Sequence, residues 1–306
     1  MTILIVGQTG QVARSLAARS HLHPDLDLRF LSRAELDLSD PERIPDIIQS
    51  IRPEVIVNTA AYTAVDKAED EPKLAETVNA VAPGILASEA SKIGAPILHL
   101  STDYVFDGAL DRPYEEADPV APLGVYGRSK RAGEEAVIAS NPRFAILRTA
   151  WVYSPYGTSF AHTMLRLASE RDALSVIDDQ WGNPTSALDL ADAILAILKG
   201  WQTGSDLGMG EIYHFAGGVE TTWCGFARSI FKASARLAGP SAHVTAIPSS
   251  AYPLKARRPA NARLNTGKFE KAFGSALIRQ EPVDMDVIAA LISRLSQTPS
   301  GASRAI

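Results

Sequence analysis

Cysteine and long apolar runs are the features that this sequence has least of. Cys224 is the only cysteine, so no intramolecular disulfide can form, and a disulfide-stabilised secreted domain is excluded. No apolar stretch approaches the ~20 residues that a membrane-spanning helix requires. Residues 1–4 lack the basic segment that opens a signal peptide. We therefore expect a cytoplasmic protein with no membrane partner.

The sequence also lacks an excess of positive charge. It has 30 Lys and Arg against 35 Asp and Glu, a net charge of −5, and no basic run longer than Arg257-Arg258. Binding to duplex nucleic acid or to an anionic membrane surface needs a basic patch, so we expect neither as a partner. A small anionic ligand needs only a local pocket, and the composition permits one.

What the sequence does contain is apolar side chains in a βαβ rhythm. Of its 306 residues 46% are apolar and 21% are charged, which permits two domains or one large α/β domain with a C-terminal lobe. Short β-branched runs predict strands at residues 3–6, 29–31, 55–58, 97–100 and 145–147, with helices between them, the first at 11–19. This order predicts an α/β fold with a Rossmann-type, doubly wound parallel sheet.

The rhythm weakens after residue 150. Helices are predicted at 160–169 and 187–198, but Gly and Pro turns become frequent and no regular strand follows them. We predict a Rossmann domain over 1–150, a smaller substrate-binding lobe over 151–296 from which some segments return to the first domain, and a flexible tail over 297–306.

The loop after the first strand has the spacing of a dinucleotide-binding turn. Gly7 permits a tight turn, Gly10 lets a pyrophosphate approach the backbone, and Ala13 is small enough for close packing of helix on strand. The helix that follows presents its N-terminus to the phosphates. The alternative is an ordinary glycine turn; the flanking strand and helix favour a nucleotide site.

The second strand ends without the acidic residue that an NAD enzyme uses to hold the ribose 2′-hydroxyl. Arg33 stands there instead. It is either a ligand of a 2′-phosphate or a solvated loop cation, and the sequence leaves both interpretations open. Asp37 follows at a position where a carboxylate can accept a hydrogen bond from an adenine amino group.

Tyr126 and Lys130 are four residues apart on a predicted helix, so they project from the same face. An ammonium group beside a phenol stabilises the phenolate, which makes the tyrosine able to exchange a proton near neutral pH. The spacing alone would indicate a surface pair, but here it follows a dinucleotide loop. This pair is the candidate for proton transfer.

A buried strand turns polar at residues 101–103, at the carboxyl end where sheets of this type bind ligands. Thr102 is placed there to hydrogen-bond a substrate carbonyl group. Asn79, on the preceding helix, either orders a proton path, or lies at the helix surface or makes a local backbone bond, and both interpretations stay open.

Seven segments make the sequence similar to the extended short-chain dehydrogenases/reductases and, within them, to the dTDP-4-dehydrorhamnose reductase family. They lie between residues 3 and 266 and read ILIVGQTGQVA, IRPEVIVNTAAYTAVDKAE, STDYVFDG, APLGVYGRSKRAGE, RTAWVY, TMLRLA and AYPLKARRPANARLNT. The resemblance implies NADPH as the cofactor, with NADH tolerated, and a nucleotide-sugar substrate. It implies reduction of the C4 ketone of dTDP-4-dehydro-L-rhamnose to dTDP-L-rhamnose.

The resemblance also assigns the site residues. The catalytic residues are Thr102, Tyr126 and Lys130. The last two also contact the cofactor, together with Gly7, Thr9, Gly10, Gln11, Val12, Asp37, Leu38, Ser39, Ala60, Ala61 and Tyr62. The sugar pocket contains Thr102, Asp103, Tyr104 and Trp151.

One departure from the family concerns metal ions. Family members can carry acidic metal ligands at a dimer contact, and the two corresponding positions here are Ser15 and Leu188. We therefore expect no bound metal, and we expect any homodimer to form without a metal bridge. The acidic run at 66–71 is interpreted as a solvated helix face. His21 and His23 lack partners at metal-ligand spacings.

Several alternatives stay open. A sugar-nucleotide 4,6-dehydratase has the same fold but needs a carboxylate base, and Tyr104 stands where that relative carries Glu, which favours reduction. The others are a reductase of another nucleotide-linked 4-keto-6-deoxysugar and a non-catalytic regulatory subunit of the methionine adenosyltransferase β type, against which the intact catalytic residues count. Arg257 and Arg258 are either diphosphate contacts or salt-bridge partners that anchor the C-terminal lobe.

Overall fold

A computed structural model describes residues 1–297 of the chain. The first 150 residues alternate strands with helices. In chain order they form β1 Thr2–Val6, α1 Gln11–Arg19, β2 Asp27–Leu31, α2 Ile44–Ile51, β3 Val55–Asn58, α3 Val65–Ala68, α4 Pro72–Glu76, α5 Ala82–Lys92, β4 Ile97–Thr102, α6 Val125–Ser140 and β5 Phe144–Thr149. A π-helical turn, Thr77–Val81, joins α4 to α5.

Beyond residue 150 the strands are shorter and the order is less regular. The elements are β6 Val152–Tyr153, α7 Phe160–Ala168, β7 Ala173–Ile177, β8 Trp181–Gly182, β9 Thr185–Ser186, α8 Ala187–Gln202, β10 Glu211–His214, β11 Thr221–Thr222, α9 Trp223–Arg236, β12 His243–Ile247, α10 Gly267–Phe273 and α11 Met285–Gln297. The predicted tail at 297–306 lies outside the described residues, apart from Gln297 at the end of α11. No helix within residues 1–297 combines the length and the apolar character needed to cross a membrane.

Six parallel strands form the central sheet in the order β10-β5-β4-β3-β1-β2. Side chains alternate between its two faces. Ile3 and Ile5 of β1 pack with α1 and α8 on one face, and Leu4 and Val6 pack with α2 and α5 on the other. A sheet that is covered on both faces needs such continuously apolar strands. The predicted fold class, a doubly wound, Rossmann-like α/β sheet, is confirmed.

β4 and β5 both run two residues beyond their predicted ends. Ser101 and Thr102 are polar, but the pairing continues through them, with Ser101 opposite Arg148 and Thr102 opposite Thr149. Backbone groups make the ladder, so a change from apolar to polar side chains does not end the strand. Thr102 is therefore held at the carboxyl end of β4 by the sheet itself.

A second core lies beside the sheet. α7, α9 and α11 pack together through Leu165, Phe226, Ile230 and Leu291, and β7 pairs with β12 in parallel. Three elements from the same half of the chain belong to the sheet instead. α8 packs on α1, β10 extends the sheet beyond β5, and Phe269 of α10 lies in the core of the sheet. The body that contains the sheet is thus discontinuous in sequence.

Candidate active site

A cleft of about 910 Å³ opens at the carboxyl ends of β1, β3 and β4. The strand order reverses here, since β2 lies on one side of β1 and β3 on the other. Sheets of this type bind ligands at such a point. The lining of the cleft includes every predicted site residue except Ser39 and Tyr104. A smaller pocket of about 530 Å³ beside β10, lined in part by residues 115–117 and 210–212, contains none of them.

The loop between β1 and α1 forms one wall of the cleft. Gly7 has a φ of +106°, which a side chain would strain, and its N–H donates to the Leu31 carbonyl oxygen at 3.1 Å. Gly10 is the N-cap of α1, and no side chain caps the first amides of that helix. A Cβ built on Gly10 would meet nothing within 4 Å. The space that an anionic group needs beside those amides is therefore open. Ala13 is buried against the sheet.

Arg33 and Asp37 line the cleft where β2 ends. Arg33 Nε donates to Asp37 Oδ2 at 2.9 Å, and 79% of the Arg33 side chain is exposed. Asp37 Oδ1 accepts from the hydroxyl and the N–H of Ser39 at 2.7 and 2.9 Å. These bonds hold the pKa of the Asp37 carboxyl below its usual value. Ser39 thus supports the site through Asp37, and its own contact with a cofactor stays a prediction.

Asn79 positions the cleft segment at residues 60–62. It is fully buried, and its Oδ1 accepts the Tyr62 N–H at 2.8 Å. Its Nδ2 donates to the Tyr62 carbonyl oxygen and to Ser129 Oγ, both at 3.0 Å. One side chain therefore ties the loop after β3 to α6, the helix that carries Tyr126. Asn79 is neither at the helix surface nor bonded to its own neighbourhood, since its partners are 17 and 50 residues away. Its part in a proton path stays a prediction.

Tyr126 and Lys130 both reach the cleft from α6. Lys130 Nζ donates to the Leu100 carbonyl oxygen at 2.6 Å and lies 3.3 Å from His99 Nε2. Burial lowers the pKa of Lys130 to about 8. Burial also raises the pKa of Tyr126, and the hydroxyl of Thr102 opposes that rise. Burial is the largest influence on the Tyr126 pKa, so the phenol keeps its proton at neutral pH. Lowering of this pKa by the Lys130 ammonium group stays a prediction.

Thr102 and Asp103 form a hydrogen-bonded pair beside Tyr126. The Thr102 hydroxyl donates to Asp103 Oδ1 at 2.8 Å and accepts the Tyr104 N–H at 3.2 Å. Asp103 Oδ2 is buried and has no hydrogen-bond partner among the described residues. Burial raises the pKa of Asp103 to about 7, against the opposing effect of the Thr102 hydrogen bond.

Two aromatic residues predicted for the sugar pocket lie in different surroundings. Tyr104 packs edge-to-face on Tyr126 with 5.5 Å between ring centroids, outside the cleft lining. Trp151 lines the cleft, has a φ of +47°, and stacks on Trp223 with 3.5 Å between centroids. Trp223 begins α9, so this stack joins the sheet to the second core. The role of Tyr104 in sugar binding stays a prediction.

His99 is a residue of the site that the sequence motifs do not identify. It is fully buried in β4, and its Nδ1 lies 3.1 Å from Asn58 Nδ2 while its Nε2 faces Lys130. Burial holds the pKa of His99 well below its usual value, so the ring is neutral. The only sequence signal is a histidine inside an otherwise apolar strand.

The acidic run at 66–71 is partly solvated, as interpreted from the sequence, but it also makes specific hydrogen bonds. Glu69 Oε1 accepts the N–H of Val125, the first residue of α6, at 2.8 Å. Glu71 Oε2 accepts the Tyr62 hydroxyl at 2.7 Å. The charge pattern could not show this because Glu69 and Val125 are 56 residues apart in the chain.

The same run anchors the segment at 255–258. Asp66 Oδ2 accepts from Arg258 Nη2 at 2.9 Å, Asp66 Oδ1 accepts the Ala256 N–H at 3.0 Å, and Lys255 pairs with Asp70. Arg258 therefore takes the salt-bridge role of its two predicted roles. Arg257 is exposed.

Ser15 and Leu188 are both buried, Ser15 on α1 and Leu188 in the second core. Ser15 Oγ donates to the Gln11 carbonyl oxygen at 2.9 Å. In the part of the chain that the structure describes, no group of three or more His, Cys, Asp or Glu side chains is arranged to hold a metal ion.

Comparisons with known proteins agree over nearly the whole chain. The family model of the RmlD substrate binding domain matches residues 1–291. The dTDP-4-dehydrorhamnose reductase of Sinorhizobium fredii is 42% identical over 292 residues, which cover 95% of this chain and 98% of that protein. The crystal structure of a dTDP-4-dehydrorhamnose reductase from Clostridium acetobutylicum matches with a TM-score of 0.86 at 33% identity, covering 97% of this chain and 100% of that one. The dTDP-4-dehydrorhamnose reductase of Bacillus anthracis, in complex with NADP, matches with a TM-score of 0.81 at 30% identity, covering 97% and 99%.

Proposed function

The chain belongs to the RmlD substrate binding domain family, and from this we propose that it reduces the C4 ketone of dTDP-4-dehydro-L-rhamnose with NADPH. The product is dTDP-L-rhamnose, and the reaction is the last step of dTDP-rhamnose biosynthesis. One observation carries the proposal. Tyr126 and Lys130 line the same cleft as the glycine loop after β1, so a proton donor and a dinucleotide site share one space.

The residues of the cleft fit a dinucleotide. The uncapped amides of α1 and the open space at Gly10 suit a pyrophosphate, and the loop from Gly7 to Val12 would hold it. Asp37 and Leu38 would hold the adenine end, and residues 60–62 with Lys130 would hold the nicotinamide end. NADPH, when bound, supplies the hydride that C4 of the sugar accepts. The exposed Arg33 guanidinium is the proposed contact for the 2′-phosphate, with NADH tolerated.

Tyr126 is the proposed proton donor. Burial raises the pKa of its phenol, so the group enters the reaction protonated and can give its proton to the C4 oxygen as that oxygen becomes an alcohol. Lys130 holds a positive charge below its pKa of about 8, and this charge stabilises the phenolate that remains. Thr102 is the proposed second hydrogen-bond partner of the ketone oxygen.

The sugar side of the cleft is proposed to include Asp103 and Trp151, with Tyr104 behind Tyr126. The indole of Trp151 presents apolar area to the 6-deoxy methyl group, and its N–H can still find a polar partner. The stack on Trp223 holds the indole in place. A carboxyl at Asp103 is close enough to Thr102 to act on the same substrate group.

We propose that small molecules are the partners of this chain. Its net charge of −5 disfavours nucleic acid and anionic membranes. A homodimer would form without a metal bridge, because Ser15 and Leu188 provide no ligand oxygen of the carboxylate type. The free, buried Cys224 is consistent with a cytoplasmic location.

The direct test supplies NADPH and the ketosugar made in situ by the upstream dehydratase and epimerase, and follows the loss of nicotinamide absorbance. We expect turnover by the native chain. Tyr126→Phe should bind NADPH as the native chain does and lose ~10² or more in kcat, because it removes the general acid and little else. Cofactor affinity is measured by NADPH fluorescence on the same samples.

The outcomes separate the candidate functions. An absence of turnover with intact NADPH binding would point to a regulatory nucleotide-binding subunit. Near-normal turnover by Tyr126→Phe would remove Tyr126 from the proton-transfer role. Reduction of other nucleotide-linked 4-keto-6-deoxysugars at a comparable kcat/KM would broaden the substrate class.

A further inference from the structure

The hydroxyl proton of Thr102 is directed away from the reaction centre. A threonine hydroxyl donates one hydrogen bond, and here the acceptor is Asp103 Oδ1 at 2.8 Å. The Tyr104 N–H at 3.2 Å already occupies one acceptor position on Oγ1. With its proton directed to Asp103, Thr102 has none left to offer a ketone oxygen or the oxygen of Tyr126, whose pKa a hydrogen bond from Thr102 lowers.

The other carboxyl oxygen of Asp103 has no hydrogen bond to offset the cost of its burial. Asp103 Oδ2 is buried and has no hydrogen-bond partner among the described residues, and the whole residue is 3% exposed. A buried carboxylate oxygen without a partner is costly, whereas a neutral carboxylic acid is much less so. The local geometry therefore favours a proton on Asp103.

We propose that Asp103 works as a neutral acid that donates to Thr102 Oγ1 and thereby frees the Thr102 hydroxyl to donate into the cleft. The idea rests on the proposed ketone reduction. Reversing one hydrogen bond gives the ketone oxygen two donors, Thr102 and Tyr126. Tyr126 still transfers the proton to the C4 oxygen, and Asp103 keeps its own proton throughout, so the balance of the reduction is unchanged.

The charged groups around Asp103 are compatible with a protonated carboxyl group. The groups that shift its pKa are burial, which is the largest, then the Thr102 hydroxyl and the backbone amides of residues 103 and 104, and no cation is among them. The titratable neighbours are the phenols of Tyr104 and Tyr126, whose pKa values a charge on Asp103 would raise. Arg258 acts on the phenol of Tyr104, and its own partner is Asp66.

Lys130 shares the cleft lining with this group and titrates at about pH 8. Burial places the pKa of Asp103 at about 7. Asp103 therefore ionises at a lower pH than the one at which Lys130 loses its charge. Above pH 7 ionised Asp103 would hold the Thr102 proton, and the ketone oxygen would lose one donor. Removal of one such donor costs about 10²-fold or more in rate at other enzymes that stabilise an oxyanion.

The first experiment measures kcat/KM for the ketosugar at saturating NADPH from pH 6 to 9. For the native chain we expect a fall of about tenfold per pH unit above pH 7, in proportion to the protonated fraction. In Asp103→Asn the amide nitrogen can donate to Thr102 at every pH. The pH above which kcat/KM falls, here called the break, should therefore move from 7 to 8 or higher. Thr102→Ser should keep the native break. Asp107→Asn, which removes a nearby carboxylate outside the cleft lining, should keep it as well.

The second experiment needs no turnover. Carbon-13 NMR of carboxyl-labelled aspartate in the cofactor-free chain should show one resonance that titrates near pH 7 and is missing in Asp103→Asn. An Asp103 resonance that titrates below pH 5 overturns the proposal. So does a break near pH 7 that persists in Asp103→Asn, or a loss beyond 10²-fold in that variant at pH 6. If the native chain shows no turnover, the proposed function fails, and the NMR titration still decides where the Asp103 proton lies.

Discussion

At the residue scale, Lys130 shows how the site places a charge at a cost to stability. The ammonium group is 2% exposed and is held by the Leu100 carbonyl oxygen and the neutral ring of His99. Burial lowers the pKa of Lys130, and the negative charge of Glu134 opposes this lowering only in part. Keeping a charge on Lys130 at this buried position therefore costs stability.

Lys130→Met tests this cost through the pH dependence of unfolding. The pKa of Lys130 is about 8 in the folded chain and 10.5 as its ordinary value, so between these values only the unfolded chain holds the proton. The free energy of unfolding of the native chain should therefore rise with pH across this window. Relative to Lys130→Met we expect a gain of about 1.5 kcal/mol between pH 8 and 9.5.

Urea unfolding of the cofactor-free proteins at the two pH values measures this gain. Lys232→Met, a change at an exposed position of α9, is the matched control and should follow the native pH dependence. If the free energy of unfolding has the same pH dependence in the native chain and in Lys130→Met, Lys130 does not titrate in this range.

Arg33 is the second residue whose role can be tested alone. Its guanidinium is exposed at the cleft and bound only to Asp37 in the contacts described here, so it can turn to a 2′-phosphate. Arg33→Ala should lower the ratio of kcat/KM for NADPH over NADH by about tenfold or more, the worth of one charge-assisted hydrogen bond. Arg236→Ala, at an exposed position of α9, should leave the ratio unchanged. An unchanged ratio in Arg33→Ala would make Arg33 a solvated loop cation.

At the element scale, helix α6 is positioned by contacts that its own sequence does not reveal. Its N-cap, Gly124, has no side chain to cap the first turn, and Glu69 supplies the acceptor from another segment. A Cβ on Gly127 would lie 2.2 Å from the Tyr104 carbonyl oxygen, and one on Gly133 would lie 2.0 Å from that of Asn79. Close backbone approach therefore sets the depth at which Tyr126 enters the cleft.

Glu69→Ala tests the capping contact. Loss of the acceptor should lower the free energy of unfolding by about 0.5–2 kcal/mol, because a helix N-terminus loses its cap. It should also lower kcat more than it raises KM for NADPH, since Tyr126 lies in the first turn. Glu69→Gln keeps an acceptor oxygen, so its free energy of unfolding and its kcat should lie between those of the native chain and of Glu69→Ala. Glu76→Ala, at an exposed position of α4, is the control, and equal effects of the two Ala variants would contradict the capping role.

Gly127→Ala tests the close approach of α6. The added methyl group overlaps backbone, so the helix must shift, at a cost of about 1–3 kcal/mol in the free energy of unfolding. Gly200→Ala in α8 is the matched change, because its Cβ would meet only Ser205 Cβ at 3.9 Å. There the higher helix propensity of alanine should stabilise the chain by up to ~1 kcal/mol. Thermal unfolding of both variants gives the comparison, and equal melting temperatures would count against the packing argument.

At the scale of the whole molecule, the cleft lies where two cores meet. One core is the sheet with its helices, and the other is formed by α7, α9 and α11. Trp151 follows β5 and stacks on Trp223 of the second core. The segment at 255–258 returns to the acidic run at 66–71 through Asp66. The first connection joins the second core to the end of the sheet at the cleft, and the second joins the segment at 255–258 to the acidic run.

Trp151→Ala and Trp223→Ala separate substrate contact from packing. Both tryptophans are half-buried and both variants remove the same stack. They should therefore lose comparable stability, below the ~3–5 kcal/mol expected for a fully buried aromatic side chain. Only Trp151 lines the cleft. Its variant should therefore lose a further tenfold or more in kcat/KM for the ketosugar, while NADPH affinity changes little. If the two variants lose ketosugar kcat/KM equally, the role of Trp151 is packing alone.

The features predicted from sequence are those that depend on neighbours within a few residues. The alternation of apolar runs and helices gives the α/β order, and Gly7 and Gly10 belong to a turn defined by four residues. The spacing of Tyr126 and Lys130 follows from one turn of helix. These predictions hold in the folded chain because they depend on local backbone geometry and not on distant contacts.

The sequence by itself therefore determined the fold class, the glycine turn after β1 and the position of Tyr126 and Lys130 one helical turn apart. Only the tertiary structure decided that β10 joins the sheet, that Glu69 caps α6, and that a buried Asp103 is hydrogen-bonded to Thr102. The first two contacts join residues dozens of positions apart, and the third depends on a burial that only the packed chain produces. Periodicity identifies the buried face of an element, whereas the partner of that face and the solvation of a carboxyl group are fixed by packing.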